Sequence, residues 1–114
     1  MADNKKKGYL AEKMANDFLL KKGYNILFTN YQTRYGEIDI IAKKDTYICF
    51  IEVKYRRNIS KGYPRESVNF KKQEKIKNTA ILYIAENNLQ NVDFRFDVIE
   101  ILNNNITHIK NAFQ

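Results

Sequence analysis

Glu37 and Asp39 lie in Gly36-Glu37-Ile38-Asp39-Ile40-Ile41-Ala42, and Glu52 and Lys54 lie in Cys49-Phe50-Ile51-Glu52-Val53-Lys54. Three carboxylates and an amine are a poor set from which to build a core. They are a good set for holding Mg²⁺ beside a phosphate, because hard cations take oxygen ligands and an ammonium group can meet the developing phosphoryl charge. The chemistry this set suggests is metal-assisted hydrolysis of a phosphodiester.

That chemistry requires the four side chains to converge. Lys43-Lys44-Asp45-Thr46 is a polar turn between two runs rich in isoleucine and aromatic residues, which predicts a β-hairpin with strands near Glu37–Ala42 and Tyr47–Tyr55. A turn centred on Lys44 and Asp45 sets Asp39 opposite Phe50 and Glu37 opposite Glu52. Side chains alternate along a strand, so Glu37, Asp39 and Ile41 share one face, as do Phe50, Glu52 and Lys54. Diagonal neighbours about 7–8 Å apart can still close on a shared cation. The same residues also read as ordinary cross-strand charge pairs on an exposed sheet face. Against that stands the second strand, which is apolar on both faces through Ile48, Phe50, Ile51 and Val53, as a covered central strand would be. Charges on a covered strand are costly unless paired or bound to metal.

The chain has 114 residues and 44% hydrophobic content, which suits one domain over 1–114 with one core. Its net charge of +7 favours a nucleic-acid partner, although a basic surface alone names no ligand. The single cysteine, Cys49, sits inside an apolar strand and reads as a small buried hydrophobe. With one histidine, His108, neither a histidine-based triad nor a His/Cys zinc site is expected. Met1–Lys7 is polar and lysine-rich, no apolar run follows it, and no stretch is long enough to span a bilayer. The expectation is a cytoplasmic protein without membrane segments.

The remaining elements follow from periodicity. Leu10, Met14 and Phe18, with Ala11 and Ala15, predict an amphipathic helix over about Lys5–Lys22 ended by Gly23. Tyr24–Asn30 reads as a strand. Asn69 is placed to cap a second helix whose stripe is Ile76, Ala80, Tyr83 and Ile84. Val92–Val98 alternates as a further strand, and Ile106–Phe113 as a weaker last one. The helical connection between the Glu52 strand and the Phe94 strand is long enough to make those two strands parallel. The predicted fold class is α/β, a mixed central sheet flanked by helices in the order α-β-β-β-α-β.

The connection before the second helix carries Arg56, Arg57, Lys61 and Arg65, and the helix opens with Lys71, Lys72, Lys75 and Lys77. Lysines at a helix start oppose the favourable sign of the dipole, so a nucleic-acid backbone is one reason for them and a solvated face is the other. Arg95 and Asp97 share a strand face, where a structural ion pair is the simpler reading.

This arrangement resembles the restriction-endonuclease-like, or PD-(D/E)xK, nuclease superfamily. In that superfamily an acid ends the second strand and an acid-x-Lys triplet lies on the third. Asp39 matches the first acid and Glu52-Val53-Lys54 the triplet, while Ile38 stands where the motif has proline. Across nearly the whole chain the sequence is similar to the YraN-type family of predicted endonucleases, itself likened to archaeal Holliday junction resolvases. The likeness rests on Gly8 with Ala11-Glu12, Gly23-Tyr24, Asn30-Tyr31, Gly36-Glu37-Ile38-Asp39, Phe50-Ile51-Glu52-Val53-Lys54, Arg56, Lys72-Gln73 and Arg95-Phe96-Asp97.

The resemblance implies a restriction-endonuclease-like three-layer fold and a Mg²⁺- or Mn²⁺-dependent endonuclease acting on DNA, branched or junction DNA included, in repair or recombination. It implies Asp39, Glu52 and Glu12 as metal ligands, with Lys54 and Glu37 completing the catalytic set. Glu12 lies beside the apolar stripe of the first helix, where it could lean toward the sheet or remain a surface glutamate, and Glu37 could instead orient Lys54 or a water. Arg56, Arg57, Lys71, Lys72, Gln73 and Lys75 are the candidate nucleic-acid contacts. Resolvase-like enzymes are usually homodimers. The competing reading is a non-cleaving module that binds branched nucleic acid alongside a recombination or helicase partner.

Overall fold

The computed structural model describes residues 2–56 and 68–114. Helix α1 spans Ala2–Lys21 and strand β1 spans Asn25–Thr33, followed by β2 at Gly36–Lys44 and β3 at Tyr47–Arg56. Helix α2 at Phe70–Glu86 leads into β4 at Asp93–Leu102 and β5 at Asn105–Phe113. The five strands form one open sheet in the order β1-β2-β3-β4-β5. Only β3 and β4 pair in parallel among these neighbours, as the helical crossover between them requires.

The sheet is covered on both faces. On one side Ala11, Ala15 and Leu19 of α1 pack on Ile40, Cys49, Ile51, Ile99 and Ile101. On the other, Ile76, Ala80 and Tyr83 of α2 pack on Ile41, Ile48, Phe50 and Val98. The result is a three-layer α/β fold. The buried stripe of α1 runs through Ala11 and Ala15 rather than through Leu10, which is exposed, because small side chains let the helix approach the strands closely. Helix α1 ends in a Schellman pattern. Gly23 takes φ +89°, Tyr24 N donates to Leu19 O at 3.0 Å and Gly23 N donates to Leu20 O at 3.1 Å.

Strand β4 runs beyond the predicted Val98. Ile99 and Ile101 bury on one face and Val98 and Glu100 on the other, so strict alternation of apolar and polar residues ends while the strand continues. Asp97 is fully buried and meets three groups: the Arg95 guanidinium, through Nε at 2.9 Å and Nη2 at 3.0 Å, His108 Nε2 at 2.7 Å, and the Asn111 amide at 2.9 Å. Arg95 Nη2 also donates to the Tyr24 hydroxyl at 2.7 Å, which ties β4 and β5 to the start of β1. Cys49 is buried beside this network, and burial, aided by the charge of Asp97, pushes its thiol up to about 11.

The β2–β3 register differs from expectation by two residues. Lys44 pairs with Tyr47 and Ile41 with Phe50, so the turn centres on Asp45 and Thr46, with Asp45 at φ +54°. A shift of two preserves which face each side chain takes, but it moves the Glu37–Glu52 and Asp39–Phe50 pairings off the ladder. Pairing stops at Ile40–Ile51. Beyond that point the regular alternation of β2 fails as well, since Ile38 joins the cluster of Ile41 and Phe50 rather than that of Ile40.

Gly36 is the position where β2 passes under α2. A Cβ there would lie 3.2 Å from Lys75 Cβ and 3.4 Å from Thr79 Oγ1, at a backbone φ of +152°. Gly36→Ala should therefore destabilise the fold by about 1–3 kcal/mol, read as a lower midpoint in urea unfolding. An unchanged midpoint would show that the helix yields freely.

Candidate active site

The site forms where β2 leaves β3. With no strand opposite, the Val53 amide has no backbone acceptor from β2, and Asp39 Oδ2 takes its hydrogen bond at 2.8 Å. This bond fixes the Asp39 carboxylate against the strand that carries Glu52 and Lys54. Glu52 is buried and meets two ammonium groups, Lys72 Nζ at 2.7 Å and Lys54 Nζ at 3.6 Å. Asp39, Glu52, Lys54 and Lys72 thus come together from three elements. Lys72 arrives from the first turn of α2 because a crossover helix begins over the C-terminal end of the strand it follows. That turn is set by Asn69, whose Oδ1 accepts from Lys72 N at 2.9 Å.

The electrostatics reflect this crowding. Burial, followed by the negative charge of Glu52, raises the Asp39 carboxyl to about 7, although the Val53 amide works the other way. Burial also lowers the Lys54 ammonium below the usual lysine value, with neighbouring Lys72 adding to the effect and Glu52 opposing it. For Lys72 burial acts downward, but the hydrogen bond and charge of Glu52 outweigh it and leave the group raised. Of two lysines sharing one carboxylate, Lys54 is the one that gives up its proton more readily.

Glu12 is half-buried on α1. Burial raises its carboxyl, a hydrogen bond with Asn30 lowers it, and the charges of Glu37 and Glu52 raise it further. It leans toward the sheet, close enough for its charge to be felt at Asp39. Glu37 is exposed, and its Oε2 accepts from Gln32 Nε2 at 3.2 Å. Among the described residues no three acid, histidine or cysteine side chains stand close enough to hold one metal ion together. Asp39 and Glu52 are close enough for the charge of Glu52 to act on the Asp39 carboxyl. A pair suits Mg²⁺, which is commonly held by one or two carboxylates with waters and substrate phosphate completing its shell.

The other candidate contacts divide by position. Lys71, Lys72 and Lys75 line, with Gly36 and Glu37, a cleft of about 410 Å³ between β2 and α2. Gln73 is turned inward, its Nε2 donating to Val68 O at 2.8 Å. Lys77 pairs with Glu74 at 3.5 Å. Arg56 is largely buried, and its Nη1 donates to Glu100 Oε2 at 3.0 Å. Arg57, Lys61 and Arg65 lie outside the described residues. Two features were not anticipated from sequence: Glu100, which pairs with Lys54 across the parallel ladder, and the contact of Lys72 with Glu52. The crossover geometry was the available signal for Lys72. Glu100 lay beyond the predicted end of its strand.

The model of the uncharacterised protein family UPF0102 matches residues 11–101, a stretch that holds Glu12, Asp39, Glu52, Lys54, Lys72 and Glu100. The chain belongs to the UPF0102 family. A UPF0102 protein of Clostridioides difficile is 55% identical over 97% of this chain and 99% of its own length. One of Alkaliphilus metalliredigens is 49% identical over 96% and 99%, and one of a Sulfurihydrogenibium species 48% over 97% and 96%. Similarity to these UPF0102 members therefore spans both helices and the whole sheet. Among the described residues no helix is long and apolar enough to cross a membrane.

Proposed function

We propose that this UPF0102 protein is a divalent-metal-dependent endonuclease that hydrolyses phosphodiester bonds in DNA, branched or junction DNA included, in cytoplasmic repair or recombination. The observation that carries the reading is the convergence of Asp39, Glu52 and Lys54 where β2 parts from β3, beside the lysine-lined cleft at the start of α2. The net charge of +7 supports it, since backbone phosphates are what such a surface attracts.

Asp39 and Glu52 would hold Mg²⁺ or Mn²⁺, with Glu12 in support from α1. When bound, the cation supplies Lewis-acid polarisation of the phosphate and acidification of water. Asp39 is oriented by the Val53 amide, so its carboxylate needs little rearrangement to serve as a ligand. Lys54 stands next to Glu52 as a compact amine able to position or deprotonate a water or to stabilise developing negative charge. Lys71, Lys72 and Lys75 hold the backbone in the cleft. Symmetric cutting of two strands favours a homodimer.

The test is incubation of purified protein with labelled linear duplex, single-stranded and four-way-junction DNA in Mg²⁺, Mn²⁺ or EDTA. Cutting is expected with either metal and absent with EDTA or in Asp39→Asn. Tight junction binding without cutting, equal in wild type and Asp39→Asn, would replace the enzyme with a binding module.

A further inference from the structure

We infer that the substrate presents unpaired bases beside the phosphate at the candidate site, stacked on Tyr9, Tyr55 and Phe70. The inference rests on the nucleic-acid reading of that site and narrows its substrate class. These rings are strongly exposed for aromatic side chains, at 68% for Tyr9, 41% for Tyr55 and 73% for Phe70.

Their placement follows the site element by element. Tyr9 lies one helical turn before Glu12 on α1, Tyr55 directly follows Lys54 on β3, and Phe70 opens α2 two residues before Lys72. Tyr55 alternates with Lys54 and so takes the α1 face of the sheet, while Phe70 belongs to the α2 side. Rings therefore belong to elements on both faces of the sheet that carries the charged cluster.

Other exposed aromatics already have work within the protein. Tyr47 lies under the Arg95 guanidinium at 5.3 Å and Tyr35 under that of Arg34 at 5.0 Å. Phe94 stacks on Phe50 with centroids 6.1 Å apart, and Phe28 meets Tyr31 edge-on at 5.4 Å. Tyr9, Tyr55 and Phe70 have no aromatic or cationic partner of this kind among the described residues.

Free π-faces interleaved with cations match a strand whose bases are unstacked. Lys71, Lys72 and Lys75 beside Phe70 would track the backbone, and the rings would take the bases. A continuous duplex keeps its base faces internal and offers only phosphates and groove edges. Lysines among the rings also argue against an apolar contact between copies of this chain, which excludes charge from its centre.

The test measures anisotropy of fluorescein-labelled DNA, with Ca²⁺ replacing Mg²⁺, on a continuous duplex and on an equal-length duplex bearing a short single-stranded flap. A 2-aminopurine in the flap reports stacking. Wild type should prefer the flap, and Tyr9→Ala, Tyr55→Ala or Phe70→Ala should each weaken flap binding roughly fivefold to a hundredfold. Duplex affinity and its salt dependence should stay unchanged, and Phe70→Trp should retain flap binding. Equal losses on both DNAs, or none, would overturn the inference. So would variants that change only the sedimentation of the free protein, because the rings would then belong to an interface between copies. If wild type fails to cut DNA in Mg²⁺ yet keeps the flap preference and the 2-aminopurine response, the nuclease reading falls and this inference stands. If it cuts duplex and flap alike with no effect of the rings, this inference alone falls.

Discussion

Lys54→Ala should lose metal-dependent DNA cleavage by at least about 10²-fold while keeping its circular dichroism spectrum and DNA affinity near wild type. The fold should survive because Lys54 is partly exposed and Glu52 retains its closer partner, Lys72, at 2.7 Å. The loss should be large because no other amine follows the acid on the strand that carries Glu52. Lys54→Arg separates the two roles open to this residue. A guanidinium preserves positive charge but does not release a proton, so recovery in Lys54→Arg would assign charge stabilisation and its failure would assign proton transfer. Wild-type turnover in Lys54→Ala, followed as product from labelled DNA, would remove Lys54 from the chemistry.

The second large effect is on stability. Asp97→Ala leaves the partly buried Arg95 and the ring of His108 facing an apolar gap, and breaking a buried pair from one side costs about 3–5 kcal/mol. Urea unfolding of wild type and variant at neutral pH measures it, and a difference below 1 kcal/mol would show that water replaces the carboxylate freely. The pH dependence has a definite sign. Burial alone would raise the Asp97 carboxyl, but bonds from His108, Arg95 and the Asn111 amide bring it below its ordinary value of 3.8. A carboxyl lowered by folding contributes its full stability above the unfolded value and loses it as pH falls through the folded one. The contribution of the Asp97 charge to the gap between wild type and Asp97→Asn should therefore be full above about pH 5 and shrink as the pH drops further.

The sequence alone determined the elements and the charged residues they carry. Isoleucine-rich runs around Lys43–Thr46 dictated the hairpin, Asn69 dictated the start of α2, and Gly23 the end of α1, because these are local preferences of backbone and cap. The length of the connection through α2 made β3 and β4 parallel, since no shorter path joins parallel neighbours. Glu52 and Lys54 were legible together because period-two alternation holds along β3, whereas Asp39 lies where the alternation of β2 fails and is held to them by the Val53 amide.

Tertiary structure decided what local pattern leaves free. Asp45 and Thr46 rather than Lys44 and Asp45 form the turn, a choice between neighbouring polar residues settled by the packing of Ile41 and Phe50 beneath α2. The parting of β2 from β3 after Ile40 gives Asp39 the Val53 amide, and no spacing rule marks where a ladder stops. Lys72 reaches Glu52, Gln73 turns to Val68 and Arg56 turns to Glu100 because the helix and strand are docked at fixed angles. Periodicity gives the face a side chain takes, whereas the partner it meets depends on how separate elements pack, and that is a property of the whole fold.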